Sequence, residues 1–100
     1  MDALVGQAET ALGSKLDILV ANAGISARCL LRDTQASVIE RVMAVNFFGA
    51  VNATQAALES LIERQGQIVV LSSIAGFSPL VGRTAYAASK HALHGFFDSL

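Results

Sequence analysis

The chain contains 100 residues, a length suited to one small domain, and 53% of them are hydrophobic while 15% are charged. Its net charge of −1 without a cluster of Lys or Arg disfavours a nucleic-acid binder, and no apolar run approaches the ~18 residues that a membrane span needs. The single cysteine, Cys29, excludes an internal disulfide and a multi-cysteine metal site, so we interpret it as a bystander. The N-terminus is neither basic nor apolar enough for a signal peptide, and we expect a soluble cytoplasmic protein.

The first 24 residues predict a helix followed by a buried strand. Residues 3–12 have a helix-forming composition, and Gly13 supplies a stop signal. The apolar run LDILV at 16–20 is typical of a strand buried on both faces of a parallel sheet. The small residues ANAG at 21–24 predict a turn after this strand.

A long helix is predicted next. Asp33 or Thr34 is expected to cap its start, and Ser37 with Glu40 matches a capping box one turn later. Apolar residues at helical spacing then continue to about Arg64.

The remaining elements define the fold class. Gly66 predicts the end of the long helix, the run QIVVLSS at 67–73 is typical of a second buried strand, and a loop containing glycine and proline leads to a last helix. This order of elements predicts two parallel strands with crossover connections, hence an α/β layer fold. Two strands leave both sheet edges open, so the sequence indicates one incomplete unit over residues 1–100.

Several polar residues lie where apolar ones are expected. Asn22 follows the first strand, and Ser72 and Ser73 end the second. Because ligands bind at the carboxyl ends of strands in open parallel sheets, these residues are candidates for a binding site. Asn46 lies in the apolar stretch VMAVNFFGAV, so we expect its amide to be buried and hydrogen-bonded. For each residue alone, turn formation or a purely structural hydrogen bond is the alternative interpretation.

The last helix carries Tyr86 and Lys90 four residues apart, which places both side chains on one face. A nearby ammonium favours the phenolate form of tyrosine, so Tyr86 is a candidate acid and base. The alternative is an ordinary amphipathic helix with a packed ring and a solvated ammonium. The small residues Ala87, Ala88 and Ser89 separate the pair.

Taken in order, these residues resemble the short-chain dehydrogenase/reductase family from about residue 16 to residue 100. LDILVANAG resembles its N-A-G turn, VMAVNFFGA its V-N-x-x-G helix, QIVVLSSIAG its S-S-x-x-G strand and YAASKHAL its Y-x-x-x-K helix. The separation of 13 residues between Ser73 and Tyr86 also matches the family and selects Ser73 over Ser72 as the catalytic serine.

The resemblance implies a partial doubly wound, Rossmann-like parallel sheet with flanking helices, without the N-terminal strands and the C-terminal part. Residues 1–100 are then the central and catalytic portion of an incomplete NAD(P)-binding domain. The implied activity is that of an oxidoreductase that transfers a hydride between NAD or NADP and a small carbonyl or alcohol substrate. The complete protein is expected to form a homo-oligomer.

The resemblance also implies a catalytic set of Tyr86, Lys90, Ser73 and Asn46. Tyr86 is expected to act as the general acid in reduction and the base in oxidation, and with Ser73 to contact the substrate. Lys90 favours the phenolate and hydrogen-bonds the nicotinamide ribose, while Ser73 holds and polarises the substrate oxygen. Asn46 helps to connect Lys90 to solvent through its backbone and a water.

For the cofactor, the resemblance implies that Asn22, Ala23 and Gly24 pack against it beside Tyr86 and Lys90, because small residues allow a close backbone approach. It also implies that the small residues 87–89 leave room for a cofactor and substrate beside this pair. The glycine-rich phosphate loop of the family, T-G-x-x-x-G-x-G, does not occur in these 100 residues. The residue that distinguishes NAD from NADP is not among them either.

The same residues allow three other interpretations. The first is a catalytically silent structural or dimerisation module. It is motivated by the absence of the phosphate loop from these residues and by the apolar faces of the helices that carry Asn46 and Tyr86. His91 and His94 have a spacing that provides half of a metal site, but no further ligands support them. A serine hydrolase is disfavoured because G-x-S-x-G does not occur.

Overall fold

The computed structural model describes residues 1–100 and contains a two-stranded sheet with four α-helices. A π-helical turn at Ala44–Phe48 joins the second and third helices, and two 3-10 turns cover Leu31–Asp33 and Ile74–Gly76. In chain order the elements are α1 (Asp2–Leu12), β1 (Ile18–Ala21), α2 (Ala36–Met43), α3 (Gly49–Arg64), β2 (Gln67–Val70) and α4 (Thr84–Phe97). The predicted α/β class with a partial parallel sheet is confirmed.

The two strands pair in parallel, with Ile18 opposite Gln67 and Ala21 opposite Val70. The N–H of Leu71 donates a 3.0 Å hydrogen bond to the carbonyl of Ala21, which ends the ladder. The second strand is therefore shorter than the predicted run 67–73, because the chain turns away into a 3-10 turn after it.

One face of this sheet is covered by helices and the other is exposed. Leu19 and Ile68 are half-buried, whereas Ile18 and Val20 are each 55% exposed. Because α1 packs on α3, α2 packs on α4 and α3 packs on both strands, the helices of this chain lie on a single face. The expectation that the strands are buried on both faces is wrong for these 100 residues.

The start of α2 differs from the prediction. The helix begins at Ala36 with Gln35 at the N-cap and without a side-chain capping bond. Thr34 donates its hydroxyl to the carbonyl of Leu30 instead, and Asp33 belongs to the preceding 3-10 turn. Ser37 lies inside the first helical turn, so the predicted capping box does not form.

The glycines at the helix ends have two different roles. Gly13 adopts the left-handed conformation after α1, as the stop signal predicted. At the end of α3, Gln65 takes that conformation with φ 52°, and Gly66 follows it. A Cβ at Gly66 would overlap the carbonyl oxygen of Asp17, so glycine is required there for the close approach of two backbones.

The core lies between α2 and α4 and between α3 and the sheet. Val42, Ala57 and Leu93 are among its buried apolar residues. Edge-to-face ring contacts extend the packing, with Phe47 5.8 Å from Phe96 between ring centroids. None of the helices combines the length and apolarity that crossing a membrane requires.

Candidate active site

Asn46 lies in the π-helical turn and is 2% exposed. Its Oδ1 accepts a 2.8 Å hydrogen bond from the N–H of Ile25, and its Nδ2 donates a 2.8 Å hydrogen bond to the carbonyl of Ile25. The expected burial and hydrogen bonding of this amide are therefore observed. The amide thus makes the same two hydrogen bonds to the backbone of Ile25 that a neighbouring strand would make.

The same amide also reaches α4. Nδ2 of Asn46 donates a 3.0 Å hydrogen bond to Oγ of Ser89, and that hydroxyl donates a 2.7 Å hydrogen bond to the carbonyl of Tyr86. Ser89 is 0% exposed. From the sequence, Ser89 was identified only as a small residue and its hydrogen-bonding role was missed, although a polar residue between apolar helical positions is the same signal that drew attention to Asn46.

The small residues between Tyr86 and Lys90 differ in their surroundings. Ser89 is buried in the helix layer, so the interpretation that it leaves room for ligands is wrong for this residue. Ala87 and Ala88 border an open groove beside Val81, and for them the interpretation stays a prediction.

Lys90 is 5% exposed, although it is a charged residue. Its Nζ donates a 2.9 Å hydrogen bond to the carbonyl of Leu71 at the end of β2. The same atom lies 5.7 Å from the ring centroid of Tyr86 and would be 3.7 Å from a Cβ built on Gly24. The ammonium therefore lies between α4, the end of β2 and the turn after β1.

An open cleft of about 310 Å³ lies at the carboxyl ends of both strands. It brings together four predicted site residues: Asn22, Gly24, Tyr86 and Lys90. Ala23 instead lines a neighbouring apolar groove beside the π-helical turn and α3. The remaining residues that line the cleft are Ile25, Ser26, Leu71 and Ser72.

The two serines after β2 have different partners. Oγ of Ser73 accepts a 3.2 Å hydrogen bond from the N–H of Ala75 and caps the 3-10 turn. Oγ of Ser72 shares a 2.8 Å hydrogen bond with Nε2 of His94. Ser72 borders the cleft together with Tyr86, whereas Ser73 does not line it, and the choice of Ser73 as the catalytic serine stays a prediction.

The two histidines of α4 bind different parts of the chain. Nδ1 of His91 lies 2.9 Å from the carbonyl oxygen of Ala87 within its own helix, whereas His94 pairs with Ser72. No cluster of three or more His, Cys, Asp or Glu side chains is arranged to hold a metal ion.

A family model described as short chain dehydrogenase matches residues 1–100. The chain belongs to the short chain dehydrogenase family. Dehydrogenase/reductase SDR family member 7B of Xenopus laevis is 49% identical over 90 residues, which cover 89% of this chain and 28% of that protein. Dehydrogenase/reductase SDR family member 7 of Mus musculus is 45% identical over 87 residues, which cover 86% of this chain and 26% of that protein. The chain thus spans little more than a quarter of these relatives.

Solved structures of the family have the same fold. A gluconate 5-dehydrogenase from Burkholderia cenocepacia, in complex with NADP and tartrate, superposes with a TM-score of 0.90 at 29% identity, over 98% of this chain and 38% of that one. An alcohol dehydrogenase from Thermococcus sibiricus, complexed with 5-hydroxy-NADP, gives a TM-score of 0.92 at 21% identity, over 98% of this chain and 41% of that one. The Rossmann-like prediction is confirmed, and the chain corresponds to part of such a domain.

Proposed function

We propose that this chain carries the catalytic centre of an oxidoreductase that transfers a hydride between NAD or NADP and a carbonyl or alcohol substrate. The observation that carries the proposal is the pairing of Tyr86 with the buried ammonium of Lys90 in the cleft at the strand ends. Membership of the short chain dehydrogenase family supports the general class of reaction.

The residues of this chain would control the proton and the substrate oxygen. In reduction, Tyr86 donates its hydroxyl proton to the carbonyl oxygen while the carbonyl carbon receives the hydride, which yields the alcohol. In oxidation, the tyrosinate takes the proton back. A nicotinamide, when bound, supplies or accepts the hydride. Ser73 holds the substrate oxygen, and Lys90 stabilises the negative charge that develops on Tyr86.

The cleft fits the nicotinamide ribose side of a dinucleotide. An ammonium has three N–H donors, and Lys90 uses one of them on Leu71, so two are left for ribose hydroxyls. Gly24 exposes backbone without a side chain at the edge of the cleft. Asn22 adds an amide beside it, whereas the glycine-rich phosphate loop is not part of these 100 residues.

The proposal is tested in a full-length protein that carries this chain. NADH and NADPH are offered separately with a panel of aldehydes and ketones, and loss of the reduced nicotinamide absorbance is followed. We expect turnover with at least one carbonyl and a preference for one cofactor. A folded protein that binds neither cofactor by calorimetry and reduces no carbonyl in the panel would contradict the proposal.

A second candidate is an association module, and exposed apolar side chains favour it. Phe48 is 52% exposed, Phe77 73% and Val81 93%. Large apolar side chains that are this exposed are typical of surfaces that contact a partner. Light scattering on the full-length protein checks this role, which also covers the proposed homo-oligomer. A monomer at micromolar concentration would exclude it.

A further inference from the structure

Two side chains of α4 fasten the end of β2 to that helix. Lys90 donates a hydrogen bond to the carbonyl of Leu71, and His94, one turn further along, shares a 2.8 Å hydrogen bond with Oγ of Ser72. The fastened residues are consecutive and lead directly to Ser73. The position of Ser73 relative to α4 therefore depends on both contacts.

The 3-10 turn after Ser73 packs against the bond between Ser72 and His94. A Cβ on Gly76 would overlap Oγ of Ser72 and would lie 2.7 Å from Nε2 of His94. Gly76 in turn donates its N–H to the carbonyl of Ser73 at 2.8 Å, and Ala75 donates its N–H to Oγ of Ser73. Ser73 is thus held from both sides by residues that contact His94.

The helix α4 also carries the proposed acid. His94 follows Tyr86 by eight residues, or about 12 Å along the helix axis. We infer that His94 is a positioning residue for the proposed hydride transfer, because it sets the position of Ser73 relative to Tyr86 by holding Ser72 and Gly76 against α4. This inference rests on the proposed function.

A hydrolytic role for the same residues does not fit the packing. Nδ1 of His94 lies 3.6 Å from Oδ2 of Asp98, so Ser72, His94 and Asp98 follow the order of a nucleophilic triad. However, Oγ of Ser72 already shares its hydrogen bond with His94 on the side where the backbone of Gly76 packs against it. The bond between Ser72 and His94 therefore holds two elements together.

The first test compares variants of the full-length protein in carbonyl reduction. We expect His94→Ala to lower kcat/KM for the carbonyl by about 10-fold to 100-fold, the range expected for a displaced catalytic group, while the Kd for NADPH stays unchanged. His94→Gln, whose terminal amide reaches the position of Nε2, should restore most of the activity. His91→Ala, one turn away with its bond inside the helix, is the matched control and should behave as wild type.

The coupling between Ser72 and His94 in their effect on activity gives a second criterion. If His94 acts through Ser72, the double variant Ser72→Ala/His94→Ala should lose no more activity than His94→Ala alone. Losses that multiply, or a His94→Gln variant as impaired as His94→Ala, would overturn the inference.

A measurement without turnover separates this inference from the proposed function. Amide hydrogen exchange at Ala75 and Gly76 should become faster in His94→Ala and should return toward the wild-type rate in His94→Gln. Unchanged exchange in a folded His94→Ala variant would overturn the inference even if the enzyme is active. Faster exchange in a protein that reduces no carbonyl would confirm that His94 holds the segment around Ser73 against α4, and it would refute the proposed function.

Discussion

Asn46 and Ser89 lie 43 residues apart in the chain, and a 3.0 Å hydrogen bond joins them in the interior. One amide thereby connects the segment after β1, through Ile25, with the helix that carries Tyr86. The relative placement of the turn Asn22–Gly24 and the Tyr86 hydroxyl therefore depends on a buried polar group rather than on apolar packing alone.

The first prediction concerns this amide. Asn46→Ala should lower the free energy of unfolding by about 2 to 4 kcal/mol, because it leaves both backbone groups of Ile25 without their partner. Ser89→Ala removes two neutral hydrogen bonds, one from Asn46 and one to the carbonyl of Tyr86, and should cost about 1 to 2 kcal/mol. Asn52→Ala, at an exposed position of α3, is the control. Urea unfolding measures all three, and equal losses for Asn46→Ala and Asn52→Ala would contradict the structural role.

Tyr86→Phe tests the proposed acid. The variant keeps the ring beside the ammonium of Lys90 and removes only the hydroxyl, so cofactor binding should be retained while kcat falls by ~10²-fold or more. Steady-state reduction of a carbonyl substrate, together with a calorimetric titration of NADPH, measures both quantities. A variant that reduces the carbonyl at nearly the wild-type rate would refute the assignment of Tyr86.

Ser73→Ala and Ser72→Ala distinguish the two serines. Adjacent side chains near the end of a strand point to opposite sides, so only one of the two hydroxyls is placed to hold the substrate oxygen. We expect a loss in kcat/KM of ~10²-fold or more for Ser73→Ala, as for loss of an oxyanion donor, and a smaller loss for Ser72→Ala. Equal losses would contradict the choice of Ser73, and a larger loss for Ser72→Ala would assign the substrate oxygen to Ser72, which borders the cleft.

A pH dependence of stability is expected from Glu9, which joins α1 to α3. The hydroxyl of Ser60 donates a hydrogen bond to the carboxylate of Glu9 and lowers the pKa of Glu9 below the ordinary 4.5. Partial desolvation raises this pKa and opposes the effect. The N–H of Leu16 and the ammonium of Lys15 lower it further. Since the folded pKa is the lower one, the charged form stabilises the fold above pH 4.5 and this stabilisation is lost as the pH falls through the folded pKa.

Glu9→Gln tests this dependence. The variant should be less stable than the parent protein at neutral pH, and the difference should shrink on acidification. Unfolding free energies measured across the acidic range check it. A difference in unfolding free energy between parent and variant that does not change with pH would show that ionised Glu9 does not stabilise the fold.

Residues 1–100 expressed alone should neither bind NADH or NADPH at micromolar affinity nor remain a well-folded monomer. The cofactor pyrophosphate needs backbone amides of a glycine-rich loop, which these residues do not contain, and one sheet face with Ile18 and Val20 is open to solvent. Fluorescence titration and size-exclusion chromatography measure both properties. A sharp monomer peak with tight, saturable cofactor binding would contradict the prediction.

The sequence by itself determined the order helix, strand, helix, strand, helix and the four family motifs, although a π-helical turn at Ala44–Phe48 divides the predicted long helix into α2 and α3. Hydrophobic periodicity and helix stop signals are local, so α1 with Gly13 and the start of β2 at Gln67 were predicted correctly. The placement of Tyr86 and Lys90 on one helix face also follows from spacing within a single element.

The tertiary structure decided which polar groups meet. Asn46 bonds Ile25 and Ser89, Lys90 bonds Leu71, and Ser72 bonds His94, in each case across elements that are distant in the chain. It also decided that Thr34 does not cap α2 and that Gly66 serves a close backbone approach. The physical reason is that a buried hydrogen bond depends on how separate elements pack, and local spacing carries no information about the distance between them.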